Sequence, residues 1–332
     1  MLIGTVPHGV KPENSTLTLT SCTFRNNTAI EGGGAIFNEH ATIIATDTTF
    51  SDNSGESVGG AVYSDGFSSF SGCEFIGNAA GIGGALESWG VGTTVDHCKF
   101  IGNTATADGF GGAIVADAEM TVQTTLFQCN SALIGGAIVF FSDPTSNGKL
   151  SMDDVEISAS TAEVAGGGLI LVGGVADINN CRFRQNTAGV AGGAILRSFA
   201  PLAELTLKGT VFQNNNAAEG DDILNDDPTT VECGDGYGNC FCDADNTNDI
   251  STNDLPATCA GDGVGPDCKA CNPSAAPIVC SGDNGPIGAV AVSTRAEEIS
   301  PPDMDIVDMV GKMMERITRK HPGQNRRHER AI

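Results

Sequence analysis

The feature that most constrains the fold is a repeat of about 25 residues that extends to about residue 220. Seven of the eight copies carry Phe-x-x-Asn, and seven Gly-Gly pairs each follow an anchor by 8–12 residues, as in residues 181–195. Successive anchors lie 25–29 residues apart, a period that indicates a solenoid. The anchors are Phe24, Phe50, Phe75, Phe100, Phe127, Phe183 and Phe212, with a degenerate copy, Val155/Ser158, assigned to the gap.

The repeat predicts strands. An apolar position follows each Gly pair, and residues such as Leu17-Thr18-Leu19 alternate before the anchors, as in a half-buried strand. Two or three short strands per repeat cannot bury an apolar face alone, but coils stacked about 4.8 Å apart form a parallel β-helix. We therefore predict an all-β, parallel β-helix of about eight coils. The apolar position is assigned to Ile36, Val62, Leu86, Ile114, Ile138, Ile170 and Ile195.

The repeated residues have structural interpretations. Gly pairs suit positive φ or a close approach between coils, Asn suits a turn and an amide ladder, and Phe fills the interior. Four cysteines precede their anchors by two residues and are interpreted as small buried side chains, free as thiols, because parallel Cβ vectors give poor disulfide geometry. This position is assigned to Cys22, Cys73, Cys98 and Cys181, with Thr48, Thr125, Asp153 and Thr210 in the other coils.

Gly-Gly-Ala-Ile in register with Phe-x-x-Asn resembles the repeat of the polymorphic outer membrane protein family. Gly33–Ile36, Gly111–Ile114, Gly135–Ile138 and Gly192–Ile195 match in full, and the copies at Gly59, Gly83 and Gly167 depart by one residue. The resemblance covers about two thirds of the chain. It implies a right-handed β-helix of the pectin-lyase-like kind and a surface protein that acts as an adhesin.

Residues 231–294 have a different composition. Seven cysteines lie among Gly, Asp, Asn and Pro, which indicates a disulfide-rich module in an oxidising compartment: Cys233, Cys240, Cys242, Cys259, Cys268, Cys271 and Cys280. Residues 265–271 resemble pieces of epidermal-growth-factor or laminin modules. Seven is odd, so one cysteine is free, pairs outside the module or has a partner that is missing from the chain. The predicted domains are therefore 1–230, 231–294 and a tail, 295–332.

The tail has apolar residues at helical spacing. These are Ile306, Val307, Val310, Met313, Met314 and Ile317, and basic residues follow them. The pattern predicts a short amphipathic helix, and its basic end leaves open an association with a membrane surface. The first residues offer too few apolar positions for a signal peptide, so we expect the chain to be a fragment of an extracellular or cell-surface protein.

Charge and residue types limit the chemistry. The formal net charge is -24, which disfavours nucleic acid because binding there depends on basic groups. A glycosidase would need two carboxylates at a defined separation. The candidate pairs are Asp153-Asp154, Asp221-Asp222 and Asp226-Asp227, whereas the body has only His8, His40 and His97, and Arg182 and Arg184 flank an anchor. No set recurs, so we predict no catalytic residues.

No organic cofactor is predicted. The best metal candidate is an oxygen-rich stretch that suits Ca²⁺ as a structural ion, with Asp243, Asp245, Asn248 and Asp249 as ligands. It lacks the Gly and the terminal Glu of an EF-hand, and a solvated linker is the alternative. A zinc site is disfavoured because the region has no His.

The sequence therefore predicts a non-enzymatic surface scaffold for adhesion or display. Its flat acidic flanks, with inserted loops near residues 104–110, 143–149 and 159–166, would contact a protein or glycan at a cell surface. Two alternatives remain. One is a polysaccharide lyase or glycoside hydrolase of the β-helix class, and the other is a purely structural ectodomain spacer.

Overall fold

In the computed structural model, the described residues are 15–89, 92–142, 148–198, 204–225, 231–232, 239–242, 250–251 and 278–280. Within these ranges the regular structure is all β, and every strand pairing is parallel. None of the described residues belongs to a helix that could cross a membrane. The predicted all-β parallel β-helix of about eight coils is confirmed.

Each coil contributes strands to four sheets, here named A to D in chain order, rather than the two or three strands expected. Sheet A consists of Thr16–Thr20, Thr42–Thr46, Ser68–Ser71, Thr93–Asp96, Glu119–Gln123, Lys149–Asp153, Val175–Asn179, Glu204–Lys208 and Val231–Glu232. Sheet B consists of Thr23–Arg25, Thr49–Ser51, Glu74–Ile76, Lys99–Ile101, Leu126–Gln128, Glu156–Ser158, Arg182–Arg184, Val211–Gln213 and Cys240–Phe241.

Sheets C and D complete each coil. Sheet C consists of Thr28–Ala29, Ser54–Val58, Ala79–Ile82, Thr104–Phe110, Ser131–Ile134, Thr161–Ala165 and Thr187–Ala188. Sheet D consists of Ile36–Asn38, Val62–Ser64, Leu86–Ser88, Ile114–Asp117, Ile138–Phe141, Leu169–Val172, Ile195–Ser198, Ile223–Asn225 and Ile250–Ser251. Strands beyond residue 230 thus continue sheets A, B and D into the range predicted as a Cys-rich module, and the domain division itself stays a prediction.

Left-handed residues separate the strands of a coil. Between sheets A and B this position holds residues such as Ser21, Asp47 and His97, and between B and C it holds Asn26, Asp52 and Gln185, all with φ near +50° to +56°. Short polar residues tolerate this conformation better than most. The first of these turns separates the alternating residues before the anchor from the anchor itself, so the two lie in different sheets.

The interior is a set of columns that run along the solenoid axis. Rings in successive coils stack with centroids 4.5 Å apart at Phe75 and Phe100 and 4.7 Å apart at Phe50 and Phe75. Phe212 stacks on Phe241 at 5.0 Å, which extends this column past residue 230. The predicted interior position of the Phe anchors is confirmed from Phe50 onward, where the rings are fully buried, whereas Phe24 in the first coil is half-buried.

Two assignments from the sequence were wrong by small register shifts in coil 6. Ile157, not Val155, lies opposite Phe127 and Phe183 in sheet B. Val155 lies buried at the position two residues earlier, which had been assigned to Asp153. Val155 and Ile157, on either side of Glu156, both point inward, so the period-2 pattern agreed with either residue as the anchor.

The second shift concerns the Gly pair of the same coil. Leu169, not Ile170, pairs with Ile138 and Ile195 in sheet D, and Gly166 has the positive φ of the first Gly in a pair. Three consecutive glycines made the pair ambiguous by one residue. Because side chains alternate across a strand, this single step places Ile170 on the outward side.

Two of the predicted inserted loops are also strands. Residues 104–110 form one strand of sheet C with an irregular register, and most of residues 159–166 form another, Thr161–Ala165. The third, near residues 143–149, lies largely outside the described residues. The irregularity between Thr104 and Phe110 accommodates the additional residues as a bulge does.

Candidate functional site

The outward side of sheet D is the most unusual surface of the described residues. Two adjacent columns of outward residues run along it. The first is Phe37, Tyr63, Glu87, Val115, Val139, Ile170, Leu196 and Leu224, and the second includes Trp89, Asp117, Phe141 and Val172. From Tyr63 to Leu224 every residue of the first column is at most 6% exposed, although its side chain points away from the Phe interior.

The outward side of sheet A provides the contrast. Its central column holds Thr18, Ile44, Ser69, Thr94, Thr121, Ser151, Asp177 and Thr206. All of these residues are half-buried or exposed. The outward side of sheet A is therefore a solvated and mostly polar surface, with Ile44 as the apolar residue of this column. The outward side of sheet D is instead part of a second apolar cluster.

Aromatic and acidic residues meet in the first coils of this face. The ring of Phe37 stacks on that of Tyr63 with centroids 4.7 Å apart, and Trp89 contacts Phe141 edge-on at 5.0 Å. The indole Nε1 of Trp89 donates a hydrogen bond to Glu87 Oε1 at 2.6 Å, which fixes both buried side chains.

Electrostatics show how acidic this end of the face is. Burial raises the pKa of Tyr63 far above its ordinary value, and the negative charges of Glu87, Asp65, Glu39 and Asp117 raise it further. The Tyr63 hydroxyl therefore stays protonated at neutral pH. His40 Nδ1 lies 3.1 Å from Asp65 Oδ2 at the border of the face. The site thus combines apolar contact area with a negative potential.

The acidic pairs considered for catalysis have other environments. Asp153 is exposed and accepts a hydrogen bond from Asn180 Nδ2 at 2.9 Å, and Asp154 occupies a left-handed turn. Asp221 accepts from the backbone N–H of Ala217 at 2.7 Å, and buried Asp222 accepts from Asn215 Nδ2 at 2.8 Å. The first pair therefore lies at a turn, and the second pair binds residues at the end of the column of stacked Asn side chains. Asp226-Asp227 lie outside the described residues.

The basic residues considered for catalysis, Arg182, Arg184 and His97, lie at the surface, whereas Arg197 is fully buried. Arg182 is exposed and Arg184 lies 3.6 Å from Glu156 in the neighbouring coil, on either side of buried Phe183, as predicted. His97 Nδ1 lies 2.7 Å from the adjacent Asp96. His8 lies outside the described residues.

The calcium candidate is not described: Asp243, Asp245, Asn248 and Asp249 fall in the range 243–249, outside the described residues. Within the ranges given above, no three His, Cys, Asp or Glu side chains form a group that could hold a metal ion. The metal assignment therefore stays a prediction.

The cysteines divide as the two sequence groups suggested, with one addition. Cys22, Cys73, Cys98 and Cys181 are free thiols, and the last three are fully buried. The predicted free state is confirmed. The Cys98 sulfur also accepts the backbone N–H of Cys73 at 3.3 Å, so these side chains link the coils as well as fill space.

The addition is a disulfide between Cys129 and Cys280, with Cα atoms 5.7 Å apart. It joins a solenoid turn to the end of the Cys-rich range, so the odd cysteine pairs outside that range, one of the alternatives left open. Ile278 also donates its N–H to Gln185 Oε1 at 2.7 Å. Because Cys129 and Gln185 occupy the same turn in coils 5 and 7, residues 278–280 follow this corner along the axis.

Two stretches of the first coils each include a sheet B strand, a sheet C strand, a Gly turn and a sheet D strand. Residues 21–39 and 47–65 match the Chlamydia polymorphic membrane protein repeat. The predicted resemblance is therefore confirmed, and the other coils continue the same four-sheet register. The name of the repeat is that of a membrane-protein family, which agrees with a surface location. Comparisons with curated proteins and with solved structures gave no match.

The polymorphic membrane protein repeat explains the interior but not the outward side of sheet D, which sequence reasoning missed. A signal was present. Residues 137–141 read Ala-Ile-Val-Phe-Phe and residues 169–172 read Leu-Ile-Leu-Val. Continuous apolar runs are typical of strands that are buried on both faces, whereas alternation indicates one solvated face.

Proposed function

We propose that this chain is a non-enzymatic cell-surface scaffold and that the outward side of sheet A adheres to a protein or glycan partner. The match to a membrane-protein repeat supports the surface location. The long parallel solenoid supports the scaffold role. The observation that carries the choice of sheet A is its column of outward residues from Thr18 to Thr206, which is polar except for the exposed Ile44.

The geometry of that face suits a flat contact. Thr18 and Thr206 are seven coils apart in one register, about 34 Å at the usual strand spacing. Most positions between them carry hydroxyl groups, which both donate and accept hydrogen bonds. Charged residues such as Glu119, Lys149 and Glu204 border the column and are exposed. Such a surface offers many polar contacts without a deep cavity.

Adhesion is tested by binding of the purified chain to cells and to a glycan array. Thr121→Arg places a long charged side chain at the centre of the sheet A face, and Gln128→Arg adds the same group to sheet B in the same coil. Both positions are half-buried and outward, so stability should change little. We expect Thr121→Arg to weaken binding at least about tenfold and Gln128→Arg to leave it near the native level.

Equal loss in both variants would place the contact elsewhere or implicate charge alone. If the native chain bound none of the cells and glycans tested, adhesion would be rejected in favour of a structural spacer. Shortening of an acidic polysaccharide by the chain would instead reject the non-enzymatic assignment.

A further inference from the structure

The burial of the outward side of sheet D requires a covering surface. Val115, Val139, Ile170 and Leu196 are fully buried, yet their strands already bury the opposite side in the Phe interior. The described residues packed with them include Val58, Ile82, Phe110 and Ile134, which come from sheet C. These residues lie at the ends of the sheet C strands and border the columns along one side.

The chemistry of the face defines what can cover it. Its centre is aliphatic and aromatic, so the occupant must present an apolar stripe. Its first coils carry Glu39, Asp65, Glu87 and Asp117 around Tyr63. The occupant must therefore tolerate this negative charge or supply positive charge to balance it. The described solenoid itself is strongly acidic and is a poor source of such charge.

We propose that the covering surface is the C-terminal segment of this same chain, residues 303–320, docked along the outward side of sheet D. This segment carries an apolar stripe at helical spacing, Ile306, Val307, Val310, Met313, Met314 and Ile317. Its acidic residues Asp303, Asp305 and Asp308 lie near its start, and its net charge is zero. Its positive charge is concentrated at its end, where Arg316, Arg319 and Lys320 lie beside a single acidic residue, Glu315. The residues lie outside the described ranges, so the assignment rests on complementarity with the face and on the position of the chain before them.

The dimensions agree with this assignment. A helix over 306–317 would be about 18 Å long. The columns from Trp89 to Val172 span three coil steps, about 14 Å, so one such helix would cover them.

The chain can also reach the face. Cys280 is held at the corner between sheets B and C by its bond to Cys129. Residue 306 lies 26 positions further on, and 26 residues span up to about 86 Å when extended. This reach exceeds the roughly 40 Å length of eight stacked coils. The disulfide therefore keeps the segment at a high local concentration near the solenoid without dictating its path.

Trp89 provides a direct test because it is the only tryptophan and lies on the face in question. The experiment measures its emission maximum and acrylamide quenching in the full chain. Val310→Asp/Met313→Asp disrupts the apolar stripe, and Lys312→Asp changes the net charge by the same amount on the opposite side of the segment. We expect the double variant to shift the emission to longer wavelength and to increase quenching several-fold, with little change in Lys312→Asp.

Native β-sheet circular dichroism in both variants shows that the solenoid is intact. Adding a peptide of residues 303–320 to the double variant should restore the native quenching. Unchanged quenching in the double variant would overturn the proposal. The proposal would also be overturned if acrylamide quenching of the double variant returned to the native level at high protein concentration together with dimer formation. The occupant would then be a second copy.

Anionic phosphatidylcholine/phosphatidylserine vesicles separate this proposal from membrane association of the tail. If the segment docks on sheet D, vesicles should bind the native chain weakly and leave Trp89 quenching unchanged. Tight vesicle binding with Trp89 still shielded would show that the tail is not the cover, and would contradict the proposal.

Discussion

The Asn103 side-chain oxygen accepts two hydrogen bonds from Asn78, one coil away: one from the backbone N–H and one from the side-chain Nδ2, both at 3.0 Å. Asn103 Nδ2 in turn donates to the carbonyl of Phe75 at 3.0 Å. Both Asn residues are fully buried. One side chain thus satisfies several backbone groups inside the turn, which explains why the repeat carries Asn at this position.

Replacing Asn103 by Ala should therefore destabilise the solenoid strongly. The substitution leaves the Asn78 donors and the Phe75 carbonyl without their partners, and each unsatisfied buried group costs about 1–3 kcal/mol. We expect a loss of about 3 kcal/mol or more in the free energy of unfolding, measured by urea denaturation. Asn179→Ala, an outward and half-buried amide on sheet A, is the control and should cost far less. Equal losses would contradict the Asn column.

The Gly pairs should be sensitive for two different reasons. Gly111 has φ +63°, and an added Cβ would lie 2.5 Å from the Ile114 carbonyl oxygen. Gly112 lacks the positive φ that the sequence suggested, but its Cβ would meet the backbone of Ser131 at 2.6 Å in the next coil. Substitution of either glycine by Ala should lower the unfolding temperature.

Gly77→Asn is the matched control for the glycine substitutions. Gly77 also has positive φ, but the equivalent turn holds Asn26 and Asp52 in earlier coils. Asn tolerates this conformation, so we expect a nearly unchanged thermal transition. A transition lowered as much as in Gly111→Ala would show that backbone conformation is not the deciding factor.

Cys181 should make stability depend on alkaline pH. Burial raises the pKa of its thiol from 9.0 to about 12. Because the folded pKa lies above the unfolded one, this contribution is complete below pH 9 and is lost as the pH rises toward 12. We expect native Cys181 to resist thiol reagents at pH 8 and the native chain to lose more stability from pH 9 to 11 than Cys181→Ala. Parallel pH profiles for both proteins would contradict this role of the thiol.

The bond between Cys129 and Cys280 should be found by mass spectrometry of the unreduced chain, as one peptide pair that disappears on reduction. It closes a sequence separation of 151 residues, and its loss in Cys280→Ser should reduce stability by about 2–5 kcal/mol. Cys22→Ser is a suitable control because that thiol is free. Detection of Cys280 bound only to a cysteine within 233–271 would contradict the structure.

The sequence was sufficient for the fold because the repeat occurs so many times. Phe50, Asn53 and their equivalents recur in a period that only a stacked architecture satisfies, and the structure confirms their columns. Where one copy was degenerate, the prediction slipped: Val155 was chosen over Ile157, and the triple Gly at 166–168 moved the inner position from Leu169 to Ile170. In these cases only hydrogen-bonded register distinguishes neighbouring choices.

The candidate site was less accessible to sequence reasoning. Tyr63 and Glu87 follow inward residues, and nothing in their local pattern shows that their columns meet Phe110 and Ile134 from sheet C. The Cys129–Cys280 pairing was also beyond reach, because local spacing carries no information about a partner 151 residues away. Both features depend on how four sheets close around one coil.

The central claim, a parallel stack in one register from Thr18 to Thr206, is tested most directly by distances between paired spin labels. Labels at residues 18 and 121 are four coils apart, and labels at residues 18 and 206 are seven coils apart. In a Cys22→Ser background, double electron–electron resonance should give narrow distance distributions near 19 Å and 34 Å, about 4.8 Å per coil. Distances that do not increase in proportion to coil number would contradict the solenoid.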